Sequence, residues 1–227
     1  MCIVYHAPLE QYVLSRGYNV GMFNHLLSLL FPPSPSEKVL ESCSYLKADP
    51  RRRTTPRGVA IQTCARYDDP PVTAAIKVLK KHGSPRAAEL LAQLLTDVIL
   101  EEIADARIWN TQEIILIPLP MTAKRKRTRG FNHLAKILVC LPKELQSCVV
   151  SDALIQIKDV PMQKTLGRAK RLTNVIGIFT VPDTTKVHNK QVILIDDVLT
   201  TGATMDEAIH TLKNSGAHVT AITLARA

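Results

Sequence analysis

The sequence predicts an α/β domain, a parallel sheet flanked by helices, with a small irregular N-terminal region ahead of it. Short aliphatic runs at residues 114–117 and 192–195, and a looser one at 59–65, are strand-length and rich in β-branched residues. Uninterrupted runs of this kind suit strands buried on both faces. Between them, apolar residues recur three and four apart, the period of a helix with one buried face. Alternation of the two patterns is what right-handed crossovers build into a parallel sheet. A chain of 227 residues is enough for one such domain plus an appendage.

Residues 1–58 carry the weakest pattern and form a first region, separate from a domain at 59–227. A short helix is expected at 22–31, closed by Pro32, Pro33 and Pro35. The basic run at 51–57 has no periodicity and reads as a solvated loop, with an anion-binding arm as the alternative. From Val59 a strand is expected, then a helix opened by Pro70 and Pro71 with Val72, Ile76 and Leu79 on one face. Lys77, Lys80, Lys81 and His82 make its end basic, which suits a helix C-terminus. After Gly83, Ser84 can cap a long helix whose buried face is Leu90, Leu91, Leu94, Leu95, Val98 and Ile99, running to about Ala106.

The strand ending at Pro118 leads into a loop with five cations in six positions, Lys124, Arg125, Lys126, Arg127 and Arg129, closed by Gly130. A helix with Leu134, Ile137 and Leu138 inside follows. Such a loop at the end of a parallel strand suits pyrophosphate, with Arg127 and Arg129 supplying charge and Gly130 close backbone approach. A solvated or nucleic-acid-binding surface is the competing reading. Residues 158–174 are polar, cationic and weakly periodic, and Lys158, Gln163, Arg168 and Arg171 read as parts of a flexible loop that closes over a ligand. An ordinary surface loop with a short helix is the alternative. A strand is expected at 174–181.

The stretch 192–204 carries the chemistry. Its strand is expected to end abruptly in Asp196 and Asp197, followed by a turn of Thr200, Thr201 and Gly202 and a helix capped by Thr204 with Glu207 three residues on. Backbone N–H groups of such a turn, with the helix dipole and threonine hydroxyls, make a phosphate cradle over Thr200, Thr201, Gly202, Ala203 and Thr204. Two carboxylates beside a phosphate suit neutral hydroxyls of the same ligand, held directly or through a metal. The pair describes a ribose 5-phosphate. A Walker B strand is excluded by the absence of G-x-x-x-x-G-K-[ST], and a dinucleotide fold by the absence of G-x-G-x-x-G.

These residues resemble the phosphoribosyl-pyrophosphate (PRPP) signature of type I phosphoribosyltransferases. With Pro118-Leu119-Pro120, Arg129-Gly130-Phe131-Asn132, then Gln163, Leu166, Arg168, Arg171 and Asn174 ahead of Gly177-Ile178-Phe179, and Leu224-Ala225-Arg226, the likeness narrows to the ComF family, associated with competence for DNA uptake. It spans about residues 66–227. The resemblance implies a type I phosphoribosyltransferase-like sheet and catalytic Asp196 and Asp197. Mg2+ would arrive with PRPP, touching the protein through those two acids if at all. It leaves residues 1–58 to form a hood over an acceptor of unknown identity. The zinc ribbon common in that family needs C-x-x-C pairs; Cys43 and Cys64 stand alone, so no structural zinc is expected. Hypoxanthine and guanine enzymes of the superfamily carry an acid where this chain has Thr200, so 6-oxopurine salvage is not expected.

Composition sets the remaining bounds. The net charge of +9 favours anionic partners, PRPP or single-stranded DNA alike. Five scattered cysteines argue for a reduced, cytoplasmic setting without a disulfide framework. No targeting segment or membrane insertion is expected, since residues 20–31 are too short and are interrupted by Asn24 and His25. Two functions stay open: a phosphoribosyltransferase, or a non-catalytic PRPP-sensing accessory of DNA uptake that binds single-stranded DNA, a helicase or other competence proteins. The oligomeric state is open, a dimer included.

Overall fold

The computed structural model describes residues 32–55, 57–109, 112–158 and 175–227. The helix expected at 22–31 lies outside them, as do Gln163, Arg168 and Arg171. Helix α1 (Pro35–Glu41) opens on a capping box between Ser34 and Glu37. Strands β1 (Arg51–Thr54) and β2 (Ala60–Arg66) form a hairpin. Helices α2 (Pro70–His82) and α3 (Pro85–Trp109) follow, and strand β3 (Ile114–Pro118) comes next. Short helices α4 (Ala123–Arg129), α5 (His133–Leu138) and α6 (Lys143–Gln146) precede a separate two-stranded ribbon of β4 (Ile155–Gln156) and β5 (Phe179–Thr180). The chain closes with β6 (Gln191–Leu199), α7 (Ala203–Asn214) and β7 (His218–Arg226).

The main sheet has the order β1-β2-β7-β6-β3, with β1 antiparallel and the other four parallel. Its interior is the part the aliphatic runs foretell. Val192, Ile193, Leu194 and Ile195 are at most 1% exposed, and β7 is buried on both faces from Ala221 onward. Each such side chain contributes about 1.5–3 kcal/mol by leaving water. Helix α3 packs on β7 and β2, while α7 packs on β7 and touches β5.

Five elements differ from expectation. Residues 51–54, read as loop, are strand β1: three arginines on a hydrogen-bonded edge, all exposed, which is how an edge strand is kept from pairing with another chain. The basic stretch after β3 is also not a loop. Thr122 accepts the N–H of Arg125 and starts α4, and Gly130, at φ 81°, ends it in the left-handed conformation. Strand β6 does not stop at the acids but runs on to Leu199, because Val198 and Leu199 keep register with Ala225 and Arg226 of β7. Helix α7 starts at Ala203, so Gly202 rather than Thr204 is its N-cap, and no side chain caps it. The strand expected at 174–181 is cut to β5. Among the described residues no helix is long and apolar enough to cross a membrane.

Candidate functional site

Strands β3 and β6 are neighbours whose carboxyl ends lie together: Pro118 pairs with Ile195, and the N–H of Leu119 donates to the Ile195 carbonyl at 2.7 Å. Beyond that point one chain enters α4 and the other carries Asp196 and Asp197 towards α7. Ligands of open parallel sheets bind at such an edge. Asp197 is the better held of the two acids. Its Oδ2 lies 2.7 Å from Lys80 Nζ and 2.5 Å from His133 Nε2, and its side chain keeps 15% exposure. Arg129 Nη1 stands 2.8 Å from His133 Nδ1. Lys80 reaches in from the last turn of α2, Arg129 from the end of α4, and His133 from the first position of α5.

The two acids are driven apart electrically. Burial, then the charge of Asp197, pushes Asp196 up to about 7, while the Asp197 N–H at 2.8 Å from Oδ1 holds it back. For Asp197 burial works the same way but is outweighed. The hydrogen bond from His133 and the Lys80 charge hold it below the ordinary carboxylate range. Burial also weakens the hold of Arg129 on its proton, against the pull of Asp197.

The bend after β6 has the form of an anion cradle. Gly202 sits at φ 77°, and among the described residues the N–H groups of Thr201 and Gly202 have no hydrogen-bond partner. Thr200 and Thr204 are exposed, Thr201 is half-buried and Ala203 is buried. Beneath the bend lies Thr55, whose Cγ2 would be 2.9 Å from a Cβ placed on Gly202. The Thr55 hydroxyl donates to Asp206 Oδ1, and Asp206 is 2% exposed with its Oδ2 unpartnered among the described residues. Glu207, also buried, accepts from Arg57 at 3.1 Å and from the Gly177 N–H at 2.6 Å.

The structure thus brings together Asp196, Asp197 and Arg129, and it sets the 200–204 bend three residues downstream on the same strand end. Arg127 lies exposed on α4, apart from these hydrogen bonds. A Cβ on Gly130 would meet nothing within 4 Å, so the glycine serves the left-handed cap rather than close approach. Lys158 is exposed just after β4, its Nζ 3.8 Å from where a Gly177 Cβ would sit. Sequence reasoning missed His133, Thr55, Arg57 and Asp206, and used Lys80 merely as a helix-end charge. No spacing in the sequence marks them: Asp206 and Glu207 stand near the start of a helix, where acids are ordinary, and their burial is a property of the fold.

The family model described as phosphoribosyl transferase domain matches residues 79–227, a span that holds Lys80, His133 and both acids but not Thr55 or Arg57. Competence protein ComFC of Bacillus subtilis is 28% identical over 123 residues, 53% of this chain and 48% of that protein. DNA utilization protein YhgH of Escherichia coli O157:H7 is 27% identical over 148 residues, 65% of this chain and 63% of that protein. The chain therefore spans about half the length of the first relative and less than two thirds of the second. A hypoxanthine phosphoribosyltransferase structure from Staphylococcus aureus aligns at TM-score 0.38 with 11% identity, covering 63% of this chain and 65% of that one.

Proposed function

Because the chain belongs to the phosphoribosyl transferase domain family, as a ComF-like type I member, we propose that it binds PRPP with Mg2+ and transfers the phosphoribosyl group to an acceptor with release of pyrophosphate. The observation that carries the reading is the pairing of an uncapped, glycine-led helix start with two acids on one strand end. The 5-phosphate would accept from the N–H groups of Thr201 and Gly202 and from the hydroxyls of Thr200, Thr201 and Thr204. Asp196 and Asp197 would accept hydrogen bonds from the ribose hydroxyls and offset positive charge developing at the reacting carbon. Arg129 would offset charge on departing pyrophosphate, with Arg127 at the outer rim.

The residues fit Mg2+ in a supporting role. Oδ2 of Asp196 and Oδ1 of Asp197 have no hydrogen-bond partner among the described residues and are hard oxygen donors. Among the described residues no group of three His, Cys, Asp or Glu converges on a metal position, so the remaining ligands would be PRPP oxygens and water. When bound, the ion would supply charge neutralisation between pyrophosphate and ribose. A cytoplasmic setting linked to DNA uptake is part of the proposal. It draws on the names of the relatives and on the free thiols of Cys43, Cys64, Cys140 and Cys148.

Calorimetry with Mg-PRPP tests the reading. Wild type is expected to bind, and Asp196→Asn/Asp197→Asn to lose about tenfold or more in affinity, the worth of one charge-assisted hydrogen bond or better. Unchanged binding in the double variant would remove the proposal. A screen of nucleobases and amines for pyrophosphate release then identifies the acceptor. The second reading, a non-catalytic PRPP-binding accessory that also binds single-stranded DNA or a helicase, is favoured by the exposure of Lys124, Arg125, Lys126 and Arg127 on one short helix. Salt-dependent DNA binding lost on Lys124→Ala/Lys126→Ala, with no pyrophosphate release on any acceptor, would select it.

A further inference from the structure

We propose that His133 is a positioning residue that couples the two halves of the site, tying the acid for the ribose diol to the cation for pyrophosphate. The proposal rests on the PRPP reading above. Its basis is hydrogen-bond logic. A guanidinium has donors and no acceptor, so at 2.8 Å from Arg129 Nη1 the His133 Nδ1 must accept. The ring proton is therefore on Nε2, which donates to Asp197 Oδ2 at 2.5 Å. One tautomer is dictated from both sides.

The backbone at both residues is fixed by helix ends, which leaves the side-chain torsions of Arg129, His133 and Asp197 for a ligand to order. His133 is 7% exposed, and its backbone opens α5, where the Asn132 side chain accepts the N–H groups of Leu134 and Ala135 at 3.0 and 3.4 Å. Arg129 is held four residues earlier by the end of α4 and the left-handed Gly130. Lys80 and His133 together occupy Oδ2 of Asp197, which turns Oδ1 to the ligand. Arg129 spends one N–H on His133 and keeps the others of its fork for pyrophosphate. A pyrophosphate that fixes Arg129 thus also fixes His133 and Asp197, and a ribose bound second meets an acid already ordered. Sites that share an ordering cost in this way bind cooperatively.

The test measures inorganic pyrophosphate and ribose 5-phosphate, each alone and in the presence of the other with Mg2+, against wild type, His133→Phe and His133→Gln. Phe keeps the ring volume and loses both hydrogen bonds; Gln offers an N–H to Asp197 and a carbonyl to Arg129. The ratio of affinities with and without the second ligand is expected to be at least about fivefold more favourable in wild type than in His133→Phe, with His133→Gln close to wild type. Equal ratios in wild type and His133→Phe, with binding intact, would overturn the coupling while leaving the PRPP reading standing. Failure of wild type to bind either ligand would overturn both. A second measurement does not depend on any variant folding. Nitrogen-15 spectra of the His133 ring near neutral pH should show a proton on Nε2 and none on Nδ1, and a proton on Nδ1 refutes the proposal.

Discussion

Asp196 and Asp197 are chemically identical neighbours, yet the protein asks opposite things of them, and their effects on stability should run in opposite directions with pH. The folded-state pKa of Asp196 lies above its value in the unfolded chain, so between about pH 4 and the folded value near 7 the native state holds a proton that the unfolded state has released. Stability from this residue is present in acid and is lost as pH rises. Asp197 is depressed, so its contribution is present above about pH 4 and is lost as acid protonates it in the folded state. Asp196→Asn should therefore raise the thermal midpoint in mild alkali and change it little near pH 4, by about 2–4 °C for each kcal/mol recovered. Asp197→Asn should lower it at neutral pH, because Lys80 and His133 lose their anion. Calorimetric melts across pH check both, and parallel pH profiles for the two variants would contradict the assignment.

At the scale of elements, the start of α7 is built by two distant parts of the chain. The β1–β2 turn supplies Thr55 beneath Gly202 and Arg57 against Glu207. Gly202→Ala would place a methyl on Thr55 at a residue with φ 77°. It should cost about 1 kcal/mol or more from the backbone conformation alone and abolish Mg-PRPP binding, read by denaturant melts and calorimetry. Thr55→Val keeps the shape and removes the hydroxyl, leaving Asp206 buried with neither oxygen satisfied by the described residues. A loss of about 1–3 kcal/mol in stability is expected; a neutral result would show that Asp206 finds another donor. This strut also explains why the basic run at 51–57 was illegible by periodicity. Its role is set by residues some 150 positions later.

For the molecule as a whole, β6 and β7 sit at the middle of the sheet with partners on both sides, whereas β4 and β5 pair with each other alone. Amide exchange should accordingly be slowest in 192–195 and 221–225 and fastest in the β4–β5 ribbon. Comparable protection in the two would contradict the topology. The aliphatic runs made the strands, the parallel sheet and the location of the acids readable in advance, because burial on both faces leaves a local mark in composition. The glycine-led bend after β6 was readable for the same reason: glycine and hydroxyls are local requirements of a tight bend. What the sequence by itself determined is the buried strands β2, β3 and β6 and the residue chemistry at the carboxyl ends of β3 and β6. The tertiary structure alone decided that Lys80, Arg129 and His133 converge on one oxygen-bearing strand end and that Thr55 supports Gly202, since a hydrogen bond between residues far apart in the chain imposes no spacing that a linear pattern can reveal.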